Sequence, residues 1–251
     1  MKALVVCPTY GRPHLLGRIL ASFIEQTYDD KHLVIINDDP NVTLCCDYKD
    51  VSIINCSDRL SIGEKRNLGA SYGHYDVIHP WDDDDIFLPK RLENHMVQYD
   101  DVDVNAYRNF PSYITYGSKF NVCDGGPNSI SYRKKQFYEI GGYSVTENYG
   151  EDTELHDKLK GLKRDRIEEN RDFIYSFSTS NYHASCQFED THLQKIAYDE
   201  LVKMDILNKK YYILPDYDQY NVFRELDKLY REKKEDISIK HLGDCKIEII
   251  R

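Results

Sequence analysis

The sequence predicts an α/β domain with a mostly parallel sheet flanked by helices and a helical C-terminal extension. Three observations carry this. Short apolar runs alternate with stretches of helical periodicity through the first hundred residues. Gly, Pro, Asn and Asp punctuate the joins. The chain has 251 residues, enough for one sizeable domain with an appendage.

Taken in order, Ala3–Cys7 reads as a buried first strand, followed by a loop over Pro8–Pro13. From His14 to Gln26 the apolar residues Leu15, Leu16, Ile19, Leu20 and Phe23 recur at helical spacing. Leu33–Ile36 is a second strand, ended by the breaker Asn37-Asp38-Asp39-Pro40. Ser52–Asn55 is a third strand, Ile62–Ser71 a helix, and Val77–His79 a fourth strand that runs into Asp82–Asp85. Pro89 stands where a helix can begin, with Leu92, Met96 and Tyr99 on one face. The second half reads as short β-like pieces over Tyr107–Tyr132, helices over Lys134–Ile140 and Glu151–Leu162, a strand over Phe173–Phe177 and a helix over Thr191–Leu207. These divide the chain into residues 1–100, 101–207 and an extension, 208–251.

Strands and helices at this spacing form right-handed βαβ units, whose ligand site lies beyond the carboxyl ends of the strands. The loops Pro8–Arg12, Asp38-Asp39 and Asp82–Asp85 are therefore expected to converge on one crevice.

The net charge of -10 repels polyanions as a whole. No apolar run reaches the roughly 18–20 residues that span a bilayer, and the first run ends too early for a signal peptide. Seven cysteines without a CxxC pair point to packing thiols in a reducing cytoplasm.

Four consecutive aspartates, Asp82–Asp85, carry the strongest chemical signal. Two carboxylates about 5 Å apart repel by roughly 3 kcal/mol at an effective dielectric near 20. A hard divalent cation such as Mg²⁺ or Mn²⁺ relieves that repulsion; a solvated acidic turn ahead of the next helix is the plain alternative. The spacing is not that of a calcium loop. A nucleotidyltransferase would want a Gly-rich, basic loop after the first strand, where this chain has only Gly11 and Arg12.

The segments Val5-Val6-Cys7-Pro8-Thr9-Tyr10-Gly11-Arg12, Ile35-Ile36-Asn37-Asp38-Asp39, Ile62–Ala70 with its Arg66-Asn67, and His79–Pro89 resemble, in order and spacing, glycosyltransferase family 2 and its GT-A relatives. Gly141-Gly142-Tyr143 followed by Gly150-Glu151-Asp152 extends the resemblance. It implies a Rossmann-like GT-A fold and transfer of a sugar from a nucleotide-sugar donor to an acceptor hydroxyl, with Mn²⁺ or Mg²⁺ as cofactor. Asp82 and Asp84 correspond to the family's DxD pair. The resemblance implies Asp84 as the foremost direct metal ligand, Asp82 beside the ribose or the metal, Asp85 behind them, Asp83 toward solvent and His183 as a further candidate ligand. Asp38 would accept the imide proton of uracil, favouring a UDP-sugar, with Tyr10 stacked on the base and Thr9 also at the donor; a plain turn before Pro40 is the alternative for Asp38-Asp39.

Arg12, Lys65 and Arg66 are candidates to meet phosphates, with Asn67 beside them; the alternative for Lys65 and Arg66 is an exposed helix face. Asp152 is the expected general base of an inverting displacement, and Glu151 its orienting partner. Gly141, Gly142 and Tyr143 lie on the acceptor side. Trp81 is expected in the core or the sugar-pocket wall. For the acceptor, a glycan hydroxyl and a hydroxymethylated DNA base both stay open. Arg133-Lys134-Lys135, Lys160–Arg166 and Arg231–Lys234 are basic stretches a phosphate backbone could use, or else solvated faces. A degenerate scaffold without activity is the non-enzymatic alternative.

Overall fold

The structure is a computed structural model that describes residues 1–12, 15–116, 119–124, 127–145, 150–177, 199–200, 203, 238–240 and 246–250. The first strand, β1 (Ala3–Thr9), is buried along its whole length, as expected of a strand covered on both faces. Helix α1 (Leu16–Ile24) follows, and its Leu16, Ile19, Leu20 and Phe23 are fully inaccessible. Burying each such side chain contributes up to about 1.5–3 kcal/mol. The chain continues through β2 (Lys31–Asn37), β3 (Thr43–Cys46), β4 (Val51–Asn55), α2 (Ile62–Ala70), β5 (Val77–Pro80), the two-residue β6 (Ile86–Phe87) and α3 (Arg91–Met96).

The second half holds β7 (Ala106–Asn109), β8 (Pro111–Tyr116), β9 (Lys119–Asp124), β10 (Ile130–Arg133), α4 (Lys134–Glu139), α5 (Glu151–Lys158), β11 (Leu162–Asp165) and β12 (Phe173–Phe177). Near the C-terminus lie β13 (Ser238–Lys240) and β14 (Lys246–Ile250).

Seven strands form the main sheet in the order β11-β7-β10-β5-β1-β2-β4. Strands β4, β2, β1 and β5 run parallel, while β10 is antiparallel to both β5 and β7. The chain moves outward from β1 to β4, then returns through α2 to place β5 on the other side of β1. The switch point therefore falls between β1 and β5, where ligands bind in sheets of this type. Helix α1 packs in the apolar cluster on one face, with Trp81, Phe87 and Tyr107. On the other face Val6, Ile36, Ala70, Phe137 and Leu155 pack together. The sheet is thus doubly covered.

A second sheet has four strands in the order β6-β12-β8-β9, and β14 joins β13 to β3 in a third sheet. Of the extension, 208–251, the described part is this strand pair; of Thr191–Leu207, residues 199, 200 and 203 are helical and the rest lies outside the described residues. The helix expected over Glu151–Leu162 ends at Lys158, and its last residue instead opens the edge strand β11. Gly161 makes the break: its φ is +62°, and a Cβ there would lie 2.6 Å from the Asp103 carbonyl oxygen. Cys7, Cys45, Cys46 and Cys56 are free thiols. Among the described residues no helix is long and apolar enough to cross a membrane.

Candidate active site

The loops after β1 and β5 meet at the switch point. Thr9 ends β1 and donates its hydroxyl to Asp83 Oδ2 at 2.7 Å. The Arg12 guanidinium pairs with Asp83 and also donates to Asp84 Oδ2 at 2.7 Å. Arg18, on α1, donates to the Asp84 carbonyl at 3.1 Å. Asp83 therefore does not point to solvent: it is fully buried and ties the two loops together. Burial pushes its pKa up to about 6, against the pull of Arg12.

The remaining aspartates face one another. One carboxylate oxygen each from Asp82, Asp84 and Asp85 lie within 4.8 Å of one another. Asp85 is wholly buried, accepting from Asn128 Nδ2 at 3.0 Å and from the Ser176 N–H at 2.9 Å. Burial, then the charges of Asp84 and Asp82, push its pKa well above the carboxylate range. Against the same burial, Arg66, Asn128 and Arg12 hold Asp82 below that range. Three hard oxygens converge here with one carboxyl reluctant to ionise, an arrangement that fits a divalent cation. Trp81 is in the core, its ring stacked on Phe87 at 4.1 Å.

Helix α2 carries the site's cations inward. Its N-terminus is fixed by a capping box, in which Ser61 and Glu64 satisfy each other's backbone N–H groups. Lys65 and Arg66 are both 5% exposed, so neither belongs to the exposed helix face allowed for them. Gly63 permits this close seating, because a Cβ there would fall 1.9 Å from the Ser144 carbonyl oxygen. Asn67 clasps the Gly141-Gly142-Tyr143 segment: its side chain donates to the Tyr143 carbonyl and accepts from the Tyr143 N–H, both at 2.9 Å. Gly142 has φ +71°, and a Cβ on it would come within 2.7 Å of Asn67 Oδ1. Gly141 has φ +87° with open space around it.

Arg66 links the two halves of the domain. It donates to Asp82 Oδ1 at 2.9 Å and to Glu151 Oε1, and its guanidinium lies 5.2 Å from the Tyr143 ring centroid. Glu151 opens α5 and is buried. Asp152 follows it, partly exposed, accepting the Thr153 N–H at 2.8 Å.

On the other side of α2, Asp38 is fully buried at the end of β2. Its Oδ1 accepts from Lys65 Nζ and from Arg59, each at 2.9 Å; its Oδ2 accepts from Arg59 at 3.0 Å and the Leu60 N–H at 2.9 Å. The Arg59 guanidinium also lies over the Tyr10 ring, 3.2 Å from its centroid. The loops after β1, β2 and β5 are thus joined through Arg59, Lys65 and Arg12. His183 lies outside the described residues. Arg59, Arg18 and Asn128 were not picked out from the sequence. Arg59 and Arg18 sit in no recognisable spacing; Asn128 follows the Gly125-Gly126-Pro127 turn, a position at which Asn commonly serves only the turn.

Residues 4–146 match the family described as glycosyl transferase family 2; the chain belongs to that family and is a glycosyltransferase with a GT-A fold. No curated protein matches it. Among solved structures, TarS residues 1–349 from S. aureus in complex with UDP-GlcNAc superposes with a TM-score of 0.59 at 13% identity, covering 93% of this chain and 73% of that one. Against the longer S. aureus TarS structure the TM-score is 0.56 at 14% identity, covering 92% of this chain and 43% of that one. The mannosyltransferase PcManGT from Pyrobaculum calidifontis, in complex with GDP-Man and Mn²⁺, gives 0.52 at 10% identity, covering 92% and 69%.

Proposed function

We propose that the chain transfers a sugar from a UDP-linked donor to an acceptor hydroxyl, with inversion, using a divalent cation held by Asp82, Asp84 and Asp85. The observation that carries this reading is the ion chain Asp82–Arg66–Glu151, which joins the carboxylate cluster to the start of α5. A bound Mn²⁺ or Mg²⁺ would supply neutralisation of the charge that develops on the leaving diphosphate. Residues 1–100 hold the donor in this reading, and 101–207 supply the acceptor side.

The two acidic residues opening α5 divide the work. Glu151 is committed to Arg66, so it positions rather than reacts. Asp152, one residue on and partly exposed, takes the proton from the acceptor hydroxyl as that oxygen attacks the anomeric carbon. Asp38 and Tyr10 form the base pocket. A planar guanidinium already fills it, stacked on the ring and paired with the carboxylate, and an imide N–H of uracil can replace those contacts once Arg59 moves aside. Arg12 is placed to exchange part of its carboxylate pairing for donor phosphate.

The test is turnover of UDP-, GDP- and TDP-sugars with Mn²⁺, read as released nucleoside diphosphate. One UDP-sugar is expected to be consumed. Asp152→Asn should still bind UDP while turnover falls by about 10²–10⁴-fold. Full turnover in Asp152→Asn would remove it as the base.

A further inference from the structure

The four aspartates differ in what holds them. Asp82 pairs with Arg66, and Asp83 and Asp84 both pair with Arg12. Asp85 is fully buried, and among the described residues it pairs with no cation. Neutral donors hold it instead. Its Oδ2 accepts from Asn128 Nδ2 at 3.0 Å, and its Oδ1 accepts from the Ser176 N–H at 2.9 Å.

Both donors trace back to one buried ion pair. Arg91 on α3 and Asp172, just before β12, are both buried, with Nη1 and Oδ1 3.0 Å apart. Through Nη2 the same guanidinium donates to the Asn128 carbonyl at 2.6 Å. That contact fixes the turn Pro127–Ser129, from which the Asn128 amide reaches Asp85. Asp172 is tied further by Asn94 Nδ2 at 3.0 Å and, through its carbonyl, by the Leu88 N–H at 2.8 Å. These contacts fix the start of β12, which runs antiparallel to Ile86-Phe87 and brings the Ser176 N–H to Asp85. One guanidinium thus anchors two chain segments, and each delivers a donor to one oxygen of the same carboxylate.

Stability alone does not account for this frame, because well-packed apolar residues often serve as well as a buried ion pair or better. What the frame supplies is direction. Two donors, one per oxygen, set the plane of the Asp85 carboxylate, and each oxygen keeps a lone pair for a further partner. A neutral amide at position 128 does this without cancelling the charge. A lysine or arginine there would compete with a cation for the same carboxylate. Groups standing behind the ligands of a metal orient them and tune its affinity.

Given the cation reading above, on which this rests, we infer that Asn128 and Arg91 are positioning residues for the divalent cation. They aim Asp85 at it, leave that carboxylate its full charge, and so set the affinity of the site for metal. Neither residue touches the cation in this scheme. Arg91 acts through Asn128, and Asn128 acts through Asp85.

The test reads free Mn²⁺ by electron paramagnetic resonance as Mn²⁺ is titrated into the full chain, with and without UDP. Calorimetry follows UDP in the absence of metal, and a melting temperature follows the fold. Wild type should take up Mn²⁺ that Asp84→Asn does not. No uptake by wild type would sink the cation reading, and this inference with it. Asn128→Ala should weaken Mn²⁺ by about 10–100-fold while its metal-free UDP affinity stays at the wild-type value. Arg91→Lys keeps a charge for Asp172 but loses the planar fork that reaches Asn128 at the same time, so it should show a smaller loss of the same kind. It carries the test if Asn128→Ala does not fold. A lowered melting temperature with wild-type Mn²⁺ affinity would leave both residues a purely structural role and overturn the inference. Mn²⁺ and metal-free UDP affinities that fall together would also overturn it, because they mark a collapsed site.

Discussion

Arg66 offers the most exacting perturbation, because its guanidinium bridges Asp82 and Glu151, the carboxylates assigned above to the donor and acceptor sides. Its side chain is 6% exposed, that of Glu151 8% and that of Asp82 26%. Arg66→Met keeps most of the volume and removes the charge. It leaves Glu151 buried and uncompensated, and burial already raises the pKa of that carboxyl despite Arg66. Removing one partner of a buried pair costs about 3–5 kcal/mol. The Asp82 arm, being more open to water, adds about 1 kcal/mol at most. In a chain of this size the main term lowers the melting temperature by roughly 6–20 °C. Glu151→Gln in the same background removes the stranded charge, so the double variant should recover much of the loss, with a coupling energy of roughly 2 kcal/mol. Urea unfolding of wild type, both single variants and the double variant supplies the cycle. A loss below about 1 kcal/mol in Arg66→Met, or strict additivity in the cycle, would refute the buried bridge between the halves.

Further outcomes follow from the same geometry. His79 and His95 are fully buried, and burial, then the nearby Arg91, holds both well below the usual imidazole range. The unfolded chain therefore takes up protons below about pH 6.5 that the folded chain refuses, and stability should fall with pH there by up to ~1.4 kcal/mol per unit for each ring; acid unfolding of His79→Gln/His95→Gln should show a shallower limb. Gly63→Ala should destabilise by about 1–3 kcal/mol in urea, because its Cβ meets a backbone oxygen that cannot turn away; near-neutral behaviour would mean that α2 sits farther from Ser144. Arg59 is half-exposed, its side chain at 54%, so its pairing with Asp38 is worth no more than about 1 kcal/mol. Arg59→Ala should bind UDP up to about fivefold more tightly, whereas weaker binding would make Arg59 itself a contact of the base.

The parallel half of the fold was legible because its central strands β1, β2 and β5 are mostly buried and helix α1 declares its face. Val5, Leu33 and Ile35 could only be interior, and Leu16, Ile19, Leu20 and Phe23 mark one stripe of α1. The short strands β3 and β6 gave no such signal. Two residues, Ile86-Phe87, become a strand only because β12 lies antiparallel beside them. The helix overrun into Leu162 has the same origin: Lys160, Lys163 and Arg164 suit a helix as well as an edge strand, and the contact of Gly161 with Asp103, remote in sequence, decides the matter.

Within the site, the sequence brought Asp82, Asp84, Asp38, Glu151 and Asp152 into view as carboxylates. It could not tell which would be buried, since four adjacent aspartates look alike until Thr9 and Arg12 claim one of them. Lys65 and Arg66 were ambiguous because α2 has little apolar contrast: Gly69 and Ala70 seat it on the sheet, while Lys65 and Arg66 turn inward toward carboxylates.

In the function proposed above, Asp82, Asp84 and Asp85 hold a divalent cation that in turn holds a nucleoside diphosphate. Titration calorimetry of UDP with and without Mn²⁺, on wild type and Asp84→Asn, tests it most directly. Wild type should bind UDP at least about tenfold more tightly with Mn²⁺, a coupling of roughly 1.4 kcal/mol, and Asp84→Asn should lose that gain. The same UDP affinity in all four titrations would contradict the claim.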